Sequence, residues 1–184
     1  MATTSSERLK RVTVKTIPVY LAIAALVLLA RPRLLWFFPG LTLIILGEAL
    51  RVWAAGHLKK TQEVTTTGPY AYVKNPLYLG TLLLLVGFCF MAANIWLLAI
   101  GLVVFFFYYA PFKKKREGQR LFEKFGSAWT EYDQAVPDYL PRLSPYPQRG
   151  TTRWSWDRFY ENSEDGTLAA VIVGILVLVL RFWV

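Results

Sequence analysis

The chain has 184 residues, of which 55% are hydrophobic and only 18% are charged, and its formal net charge is +9. One histidine (His57) and one cysteine (Cys89) are too few for a zinc site built from these residues, so we expect no metal and no intrachain disulfide. The positive charge alone does not indicate nucleic acid, because no basic stretch belongs to a nucleic-acid-binding motif, and we expect no such partner.

The hydrophobic residues are concentrated in uncharged blocks, and a helix that crosses a membrane needs roughly 20 mostly apolar residues. We therefore predict an all-α integral membrane helical bundle, one domain over residues 1–184 with about five transmembrane helices and a cytoplasmic amphipathic helix. In chain order the predicted spans are Thr16–Ala30, Leu34–Gly56, Pro76–Ala93, Ile95–Phe112 and Thr167–Trp183. Asn94 separates the third span from the fourth, so these two form a tight helical hairpin.

The distribution of lysine and arginine predicts the orientation of the spans, because loops rich in these residues stay in the cytoplasm. The N-terminal arm, the loop that contains Lys59 and Lys74, and the segment that begins at Lys113 are all basic. We predict that these three parts, including the N-terminus, are cytoplasmic. Asn94 and the C-terminus then lie on the opposite side of the membrane.

The second span contains two ionisable residues, Glu48 and Arg51, which share a helix face because they are three residues apart. We predict that they form an ion pair within this span. The alternative is a polar wall of a ligand cavity, since ionisable groups inside membranes often mark such cavities.

The segment from Lys114 to Tyr132 has apolar residues at helical spacing, which predicts an amphipathic helix along the cytoplasmic surface. Glu117, Leu121 and Phe125 are four residues apart and share one stripe, which we expect to face the hairpin. Prolines at positions 137, 141, 145 and 147 then exclude a continuous helix.

The segment that precedes the third span concentrates glycine, proline, aromatic and polar residues, in the order Gly68-Pro-Tyr-Ala-Tyr-Val-Lys-Asn-Pro-Leu-Tyr-Leu-Gly80. Asn75 and Pro76 are suited to the N-cap and the first position of a helix. Tyrosines are common where helices enter a membrane, which explains Tyr78 but explains Tyr70 and Tyr72 in the loop less well.

This motif resembles one in the isoprenylcysteine carboxyl methyltransferase family and the related phospholipid methyltransferases. The second half of the family pattern follows at Glu117, Phe125-Gly126, Tyr132 and Val136-Pro137. The resemblance covers about residues 45–145, which leaves 1–44 as an N-terminal arm and helical hairpin and 146–184 as a linker and last span. It implies an S-adenosylmethionine-dependent methyltransferase made of membrane helices, with a cytoplasmic cofactor site and a lipid or lipidated acceptor similar to an isoprenylcysteine carboxylate.

Carried onto this sequence, the resemblance implies cofactor-binding residues but no catalytic acid or base. The implied cofactor-binding residues are Gly68, Tyr70, Tyr72, Lys74, Asn75, Pro76, Tyr78 and Glu117. Aromatic faces attract a sulfonium cation, the Glu117 carboxylate suits the ammonium group of the cofactor, and Lys74 suits its carboxylate. Methyl transfer to a ready nucleophile needs mainly positioning and exclusion of water.

Three positions depart from the family pattern and leave different functions open. Asn75 replaces a usual histidine, Gly118 a second glutamate and Asp138 an arginine. The acceptor could instead be a phospholipid amine, although an amine must lose a proton and a carboxylate needs no base. Two further functions stay open, namely an NADPH-dependent membrane reductase of the sterol reductase type, which shares a tryptophan like Trp129, and a non-catalytic lipid-binding protein.

Overall fold

A computed structural model of the chain describes residues 24–60 and 62–183, and every regular element within these ranges is helical, which confirms the all-α prediction. The α-helices are α1 (Leu34–His57), α2 (Pro76–Met91), α3 (Ile95–Val104), α4 (Ala110–Phe125), α5 (Ser127–Ala135), α6 (Trp156–Glu161) and α7 (Glu164–Trp183). A 3-10 helix (Gly68–Ala71) precedes α2, and a π-helical turn (Phe105–Tyr109) joins α3 to α4.

Among the described residues, three helices are long and apolar enough to cross a membrane, and they identify an integral membrane protein: α1, α7 and the continuous helix Ile95–Phe125. Helix α2 is apolar as well but has 16 residues, fewer than most spans. About half of the predicted first span, Thr16–Ala30, lies outside the described residues. Within the described part of this span, residues 24–29 are helical. The number of five spans therefore stays a prediction.

Helices α1 and α2 form an antiparallel pair whose contact runs through facing glycines. A Cβ atom added to Gly40 would lie 2.6 Å from the carbonyl oxygen of Gly87, and one added to Gly47 would lie 2.9 Å from that of Gly80. Small residues let the backbones of membrane helices approach closely, and here the approach leaves no room for a methyl group. We call this contact the glycine seam.

Helix α7 is attached to α1 and α2 through Arg51. The guanidinium of Arg51 binds both carboxylate oxygens of Glu164, at 2.8 and 2.7 Å, and donates to Thr81 Oγ1 at 2.7 Å. The predicted pair of Glu48 and Arg51 is therefore wrong, and both carboxylate oxygens of the buried Glu48 have no hydrogen-bond partner among the described residues. A glutamate on another helix can meet the guanidinium fork with both oxygens, which makes it the better partner.

The C-terminal end of α1 is capped by a segment that follows far along the chain. Trp154 Nε1 donates to the carbonyl of Val52 at 3.0 Å, and Asn162 Nδ2 donates to that of Ala55 at 3.0 Å. Arg158 Nε donates to the carbonyl of Gly56 at 2.7 Å. The carbonyls of Ala55 and Gly56 are among the last four of the helix, which have no partner within it, so these bonds stabilise α1 and hold the linker against it.

The hairpin predicted at Asn94 is confirmed, since its side chain accepts hydrogen bonds from the backbone N–H groups of Trp96 and Leu97, at 3.1 and 3.2 Å. The helix that begins at Ile95 continues beyond the predicted end of the fourth span at Phe112, as far as Phe125. The predicted amphipathic helix Lys114–Tyr132 is instead divided at Gly126, whose φ of 53° is readily adopted by glycine. No helix occurs between residues 136 and 155, as the prolines predicted.

Candidate functional site

A cavity of about 830 Å³ lies between the end of α1, the loop before α2, and helices α4 and α5. This volume falls within the usual range for small-molecule sites, roughly 300–1,000 Å³. Part of the wall is apolar and consists of Leu58, Val64, Leu77, Leu121, Phe122 and Trp129. The remaining lining residues are mostly ionisable or hydroxyl-bearing, so the cavity combines an apolar surface with groups that can orient a ligand.

Six of the eight predicted cofactor-binding residues line this cavity, namely Tyr70, Lys74, Asn75, Pro76, Tyr78 and Glu117, whereas Gly68 and Tyr72 do not. Gly68 has a φ of 58°, and a Cβ atom there would lie 2.3 Å from the ring of His57. Tyr72 packs against a buried cluster that includes Tyr132 and Tyr146. These two residues stabilise the loop and do not face the cavity.

Side chains from the two halves of the family pattern meet at the cavity. The hydroxyl of Tyr78, at the start of α2, donates to Oε2 of Glu117 on α4. The hydroxyl of Tyr132 on α5 donates to the carbonyl oxygen of Tyr70 at 2.8 Å. Burial raises the pKa of both Tyr70 and Tyr132, so their hydroxyls stay protonated and Tyr132 can act as this donor. Glu117 thus points toward the start of α2, as predicted, and Leu121 on the same stripe lines the cavity.

Lys74 lines the cavity but is already fully paired. Its side chain is 7% exposed, and its ammonium donates to the backbone carbonyl of Asp133 at 2.8 Å and to the carboxylate at 2.6 Å. A third contact, of 3.2 Å, joins it to Oδ1 of Asp138. An ammonium has three N–H donors, so a cofactor carboxylate would have to displace one of these partners. The role predicted for Lys74 is therefore disfavoured, and Asp133 is a partner that spacing did not reveal.

Two departures from the family pattern, Asn75 and Asp138, are in contact. Asn75 Nδ2 donates to Oδ1 of Asp138 at 3.3 Å and makes no capping bond to α2, although Asn75 occupies the N-cap position. Burial opposes ionisation of Asp138, but its hydrogen bond to Lys114 and the charge of Lys74 outweigh burial and hold its pKa below the ordinary value. The charged Asp138 thus links α4 to the loop before α2.

Tyr109 lines the cavity although the sequence did not single it out. Its ring meets that of Tyr78 edge to face, with the centroids 5.7 Å apart. Tyr109 is the last residue of the π-helical turn. A π turn has more residues per turn than an α-helix, so it changes which residues of α4 face inward. Such turns are frequent at functional sites. Lys113, one turn further, has its ammonium 3.7 Å from Oε1 of Glu117. The run Phe105–Tyr109 gave no sequence signal for a π turn.

Positive side chains outnumber negative ones in the cavity wall. The positive residues are Arg51, Lys59, Lys60, Lys74, Lys113, Lys114, Lys115 and Arg120, and the negative ones are Glu63, Glu117, Asp133 and Asp138. A cleft lined by charges mainly of one sign attracts ligands of the opposite sign. Among residues 24–60 and 62–183, no group of three or more His, Cys, Asp or Glu side chains is placed to hold a metal ion.

Comparison with known proteins adds a family match and two relatives. The family model described as phospholipid methyltransferase matches residues 35–128. The cobalt-zinc-cadmium resistance protein CzcN of Cupriavidus metallidurans is 32% identical over 127 residues, which are 65% of this chain and 57% of that protein. The nickel-cobalt-cadmium resistance protein NccN of Alcaligenes xylosoxydans xylosoxydans is 30% identical over 128 residues, 68% of this chain and 58% of that protein. The matches thus span little more than half of either relative. No solved structure matches the chain.

Proposed function

This chain belongs to the phospholipid methyltransferase family, and from that premise we propose that it transfers a methyl group from S-adenosylmethionine to a lipidic acceptor. The family membership confirms the resemblance predicted from the two motif halves. The methyl donor, the acceptor and the residues that bind them are the parts that we propose.

The contact between Tyr78 and Glu117 carries this proposal. The two residues come from motif halves 39 positions apart and meet in a cavity of about 830 Å³. A carboxylate and two tyrosine rings, those of Tyr78 and Tyr109, are the groups expected around a ligand that has both an ammonium and a sulfonium. The donor set and the volume therefore fit S-adenosylmethionine, which supplies an electrophilic methyl group when bound.

The residues of this chain would contribute binding, orientation and exclusion of water. Glu117 is oriented by its bond to Tyr78, and the apolar side chains of Phe122 and Trp129 would shield a bound ligand from water. The cationic side chains Lys115 and Arg120 would attract an acceptor with an anionic group. We assign no general base, because an isoprenylcysteine-like carboxylate attacks without losing a proton.

A phospholipid amine is the second candidate acceptor, favoured by the description of the family and by the same cations, which suit a phosphate as well as a carboxylate. An amine would have to lose a proton before it attacks. Incubation of the purified protein with labelled S-adenosylmethionine and either a prenylcysteine or phosphatidylethanolamine would distinguish the two, because the label would enter only one product.

The test of the cofactor site is isothermal titration of S-adenosylhomocysteine into the full chain in detergent. Glu117→Gln should weaken binding by about 1.5–3 kcal/mol, the range for a hydrogen bond to a charged group. Tyr78→Phe should cost less, because the aromatic ring is retained. Glu123→Gln is the matched control, since Glu123 lies on the same helix, accepts from Gln119 and does not line the cavity.

The outcomes of this titration separate the competing functions. Unchanged affinity of Glu117→Gln would exclude Glu117 from the site, and absence of binding by the wild-type protein would reject the methyl donor. Titration of NADPH under the same conditions then tests the reductase function. A ligand present at 100 times its dissociation constant should stabilise the fold by about 2.7 kcal/mol, which gives a second readout in thermal unfolding.

We further propose that the cavity opens to the cytoplasm, from the basic residues around it. Lys115→Cys and Asn94→Cys, each in a Cys89→Ala background, should react with a membrane-impermeant maleimide from opposite sides of sealed vesicles. Reaction from the same side would contradict the proposed orientation.

A further inference from the structure

Two leucines in the segment that follows α5 are exposed to an unusual degree. Leu140 is 82% exposed and Leu143 fully exposed, at 104%, so the described part of the protein covers neither side chain. They flank Pro141 and Arg142 in a segment that basic and polar composition predicted to be a cytoplasmic loop. Single exposed leucines are ordinary on protein surfaces, but these two lie in a segment that packs against the start of α2 and against the Ile95–Phe125 helix.

The backbone holds this segment against the residues that lead into α2. Lys74 N–H donates to the carbonyl of Pro137 at 2.8 Å, and Arg142 N–H donates to that of Tyr72 at 2.9 Å. The segment 138–143, which we call the interfacial loop, therefore lies alongside residues 71–74. Helix α2 is apolar and begins at Pro76, only two residues after Lys74, so the loop lies beside the start of this helix.

The interfacial loop also adjoins the helix that crosses the membrane. Tyr139 packs against a buried cluster that contains Tyr78 and Phe105 together with Ala110. Exposed aromatic residues of the same helix, Tyr108 and Phe112, lie within two residues of Ala110. The exposed leucines thus belong to a loop that packs on the aromatic stretch of a helix that is long and apolar enough to cross a membrane. Aromatic residues are enriched at membrane interfaces.

We propose that Leu140 and Leu143 insert into the lipid at the membrane interface and anchor the interfacial loop there. The loop begins at Asp138, which contacts Lys74, Asn75 and Lys114 in the cavity wall, so one short segment joins the cavity to the lipid. This inference rests on the membrane embedding of the helices and not on the proposed methyl transfer. A glycerophospholipid bilayer is the occupant, because the loop packs through Tyr139 on a helix long and apolar enough to cross a membrane and bears a cationic Arg142, which suits anionic headgroups.

A protein partner fits these observations less well. A stable protein interface buries roughly 1,200–2,000 Å² in total, far more than two leucine side chains present. Insertion of apolar side chains into lipid needs no complementary surface, and amphipathic segments reach about 5–10 Å into the boundary of headgroups and acyl chains.

The experiment uses the full chain in nanodiscs of phosphatidylcholine and phosphatidylglycerol. Leu140→Cys and Leu143→Cys, in a Cys89→Ala background, are labelled with an environment-sensitive nitrobenzoxadiazole fluorophore. Thr151→Cys is the matched control, because Thr151 is also exposed and follows Gly150, whose N–H is bonded to Thr66 away from the loop. Each label is quenched in turn by lipids with a nitroxide near the headgroup and by iodide in water.

We expect the nitroxide lipids to reduce emission of the labels at 140 and 143 at least about twofold, and to leave the label at 151 nearly unchanged, because only the first two would lie in lipid. Iodide in water should quench the label at 151 more strongly than the labels at 140 and 143. Equal quenching of all three labels by iodide would overturn the proposal. Protection of positions 140 and 143 from both quenchers would also overturn it, since a protein surface would then cover the leucines.

Discussion

Residues of α1, α2, α4 and α5 line the cavity, and two groups of helices are held in different ways, α1, α2 and α7 in the first group and α4 and α5 in the second. The first group, the scaffold, is joined by the glycine seam and by the buried ion pair of Arg51 and Glu164. The second group, the wall, is joined to the scaffold through side-chain bonds from Tyr78, Lys74 and Asn75. A Cβ atom added to Gly118 on α4 would meet nothing within 4 Å.

The difference teaches which substitutions should affect folding and which should affect binding. In the scaffold, backbones touch and charges are buried, so even small changes cannot be accommodated by rotation of a side chain. In the wall, much of α4 is exposed and its contacts are made by long polar side chains, which can rearrange. We therefore expect large losses of stability from the scaffold, and small changes of stability with changed ligand affinity from the wall.

The largest effect is expected from Arg51→Leu. This change removes the guanidinium and leaves the carboxylate of Glu164 buried without its partner, which typically costs about 3–5 kcal/mol. Glu48→Gln is the control, because the oxygens of Glu48 have no partner among the described residues and loss of its charge should cost little or even stabilise. Unfolding by SDS in mixed micelles measures both free energies. Equal losses from the two variants would mean that the ion pair does not hold α7.

The next effect in size is expected from Gly40→Ala in the glycine seam. The added methyl group would lie 2.6 Å from a carbonyl oxygen and 2.7 Å from a backbone nitrogen, so the helices have to separate. Overpacking of this kind typically costs about 1–3 kcal/mol in free energy of unfolding. The same SDS titration measures it, and wild-type stability would show that α1 and α2 tolerate a wider spacing.

A glycine-to-alanine substitution in the wall should instead increase the free energy of unfolding. Gly118→Ala adds a methyl group where nothing lies within 4 Å, and alanine is favoured over glycine inside a helix by roughly 0.5–1 kcal/mol. We expect a gain of that size in the unfolding titration. A loss instead would indicate that α4 packs against something that the described residues do not include.

The smallest effect is expected from Asp138 and depends on pH. Because Lys114 and Lys74 hold its pKa below the ordinary value in the folded protein, the ionised form stabilises the fold above about pH 4, the ordinary range of an aspartate. That stability should be lost as the pH falls further, through the folded pKa. Asp138→Asn should therefore destabilise the protein more at pH 7 than at pH 3. Identical differences at both values would contradict the proposed role of these charges.

The sequence by itself determined features that depend on residues close together in the chain. Uncharged blocks predicted the helices, Asn94 predicted the hairpin and the prolines after residue 136 predicted the absence of helix. The four-residue spacing along α4 also predicted that Glu117 is turned toward the hairpin, where it contacts Tyr78. These succeed because helix periodicity, capping and proline geometry act over only a few residues.

Only the tertiary structure decided which partner each polar side chain takes. Arg51 binds Glu164, 113 positions away, in place of Glu48 on its own helix, and Lys74 binds Asp133, 59 positions away. Gly68 and Tyr72 belong to the matched motif yet lie outside the cavity. A charged or aromatic group in an apolar surrounding binds whatever partner gives the best geometry, and the packing of separate helices determines which partners come within reach.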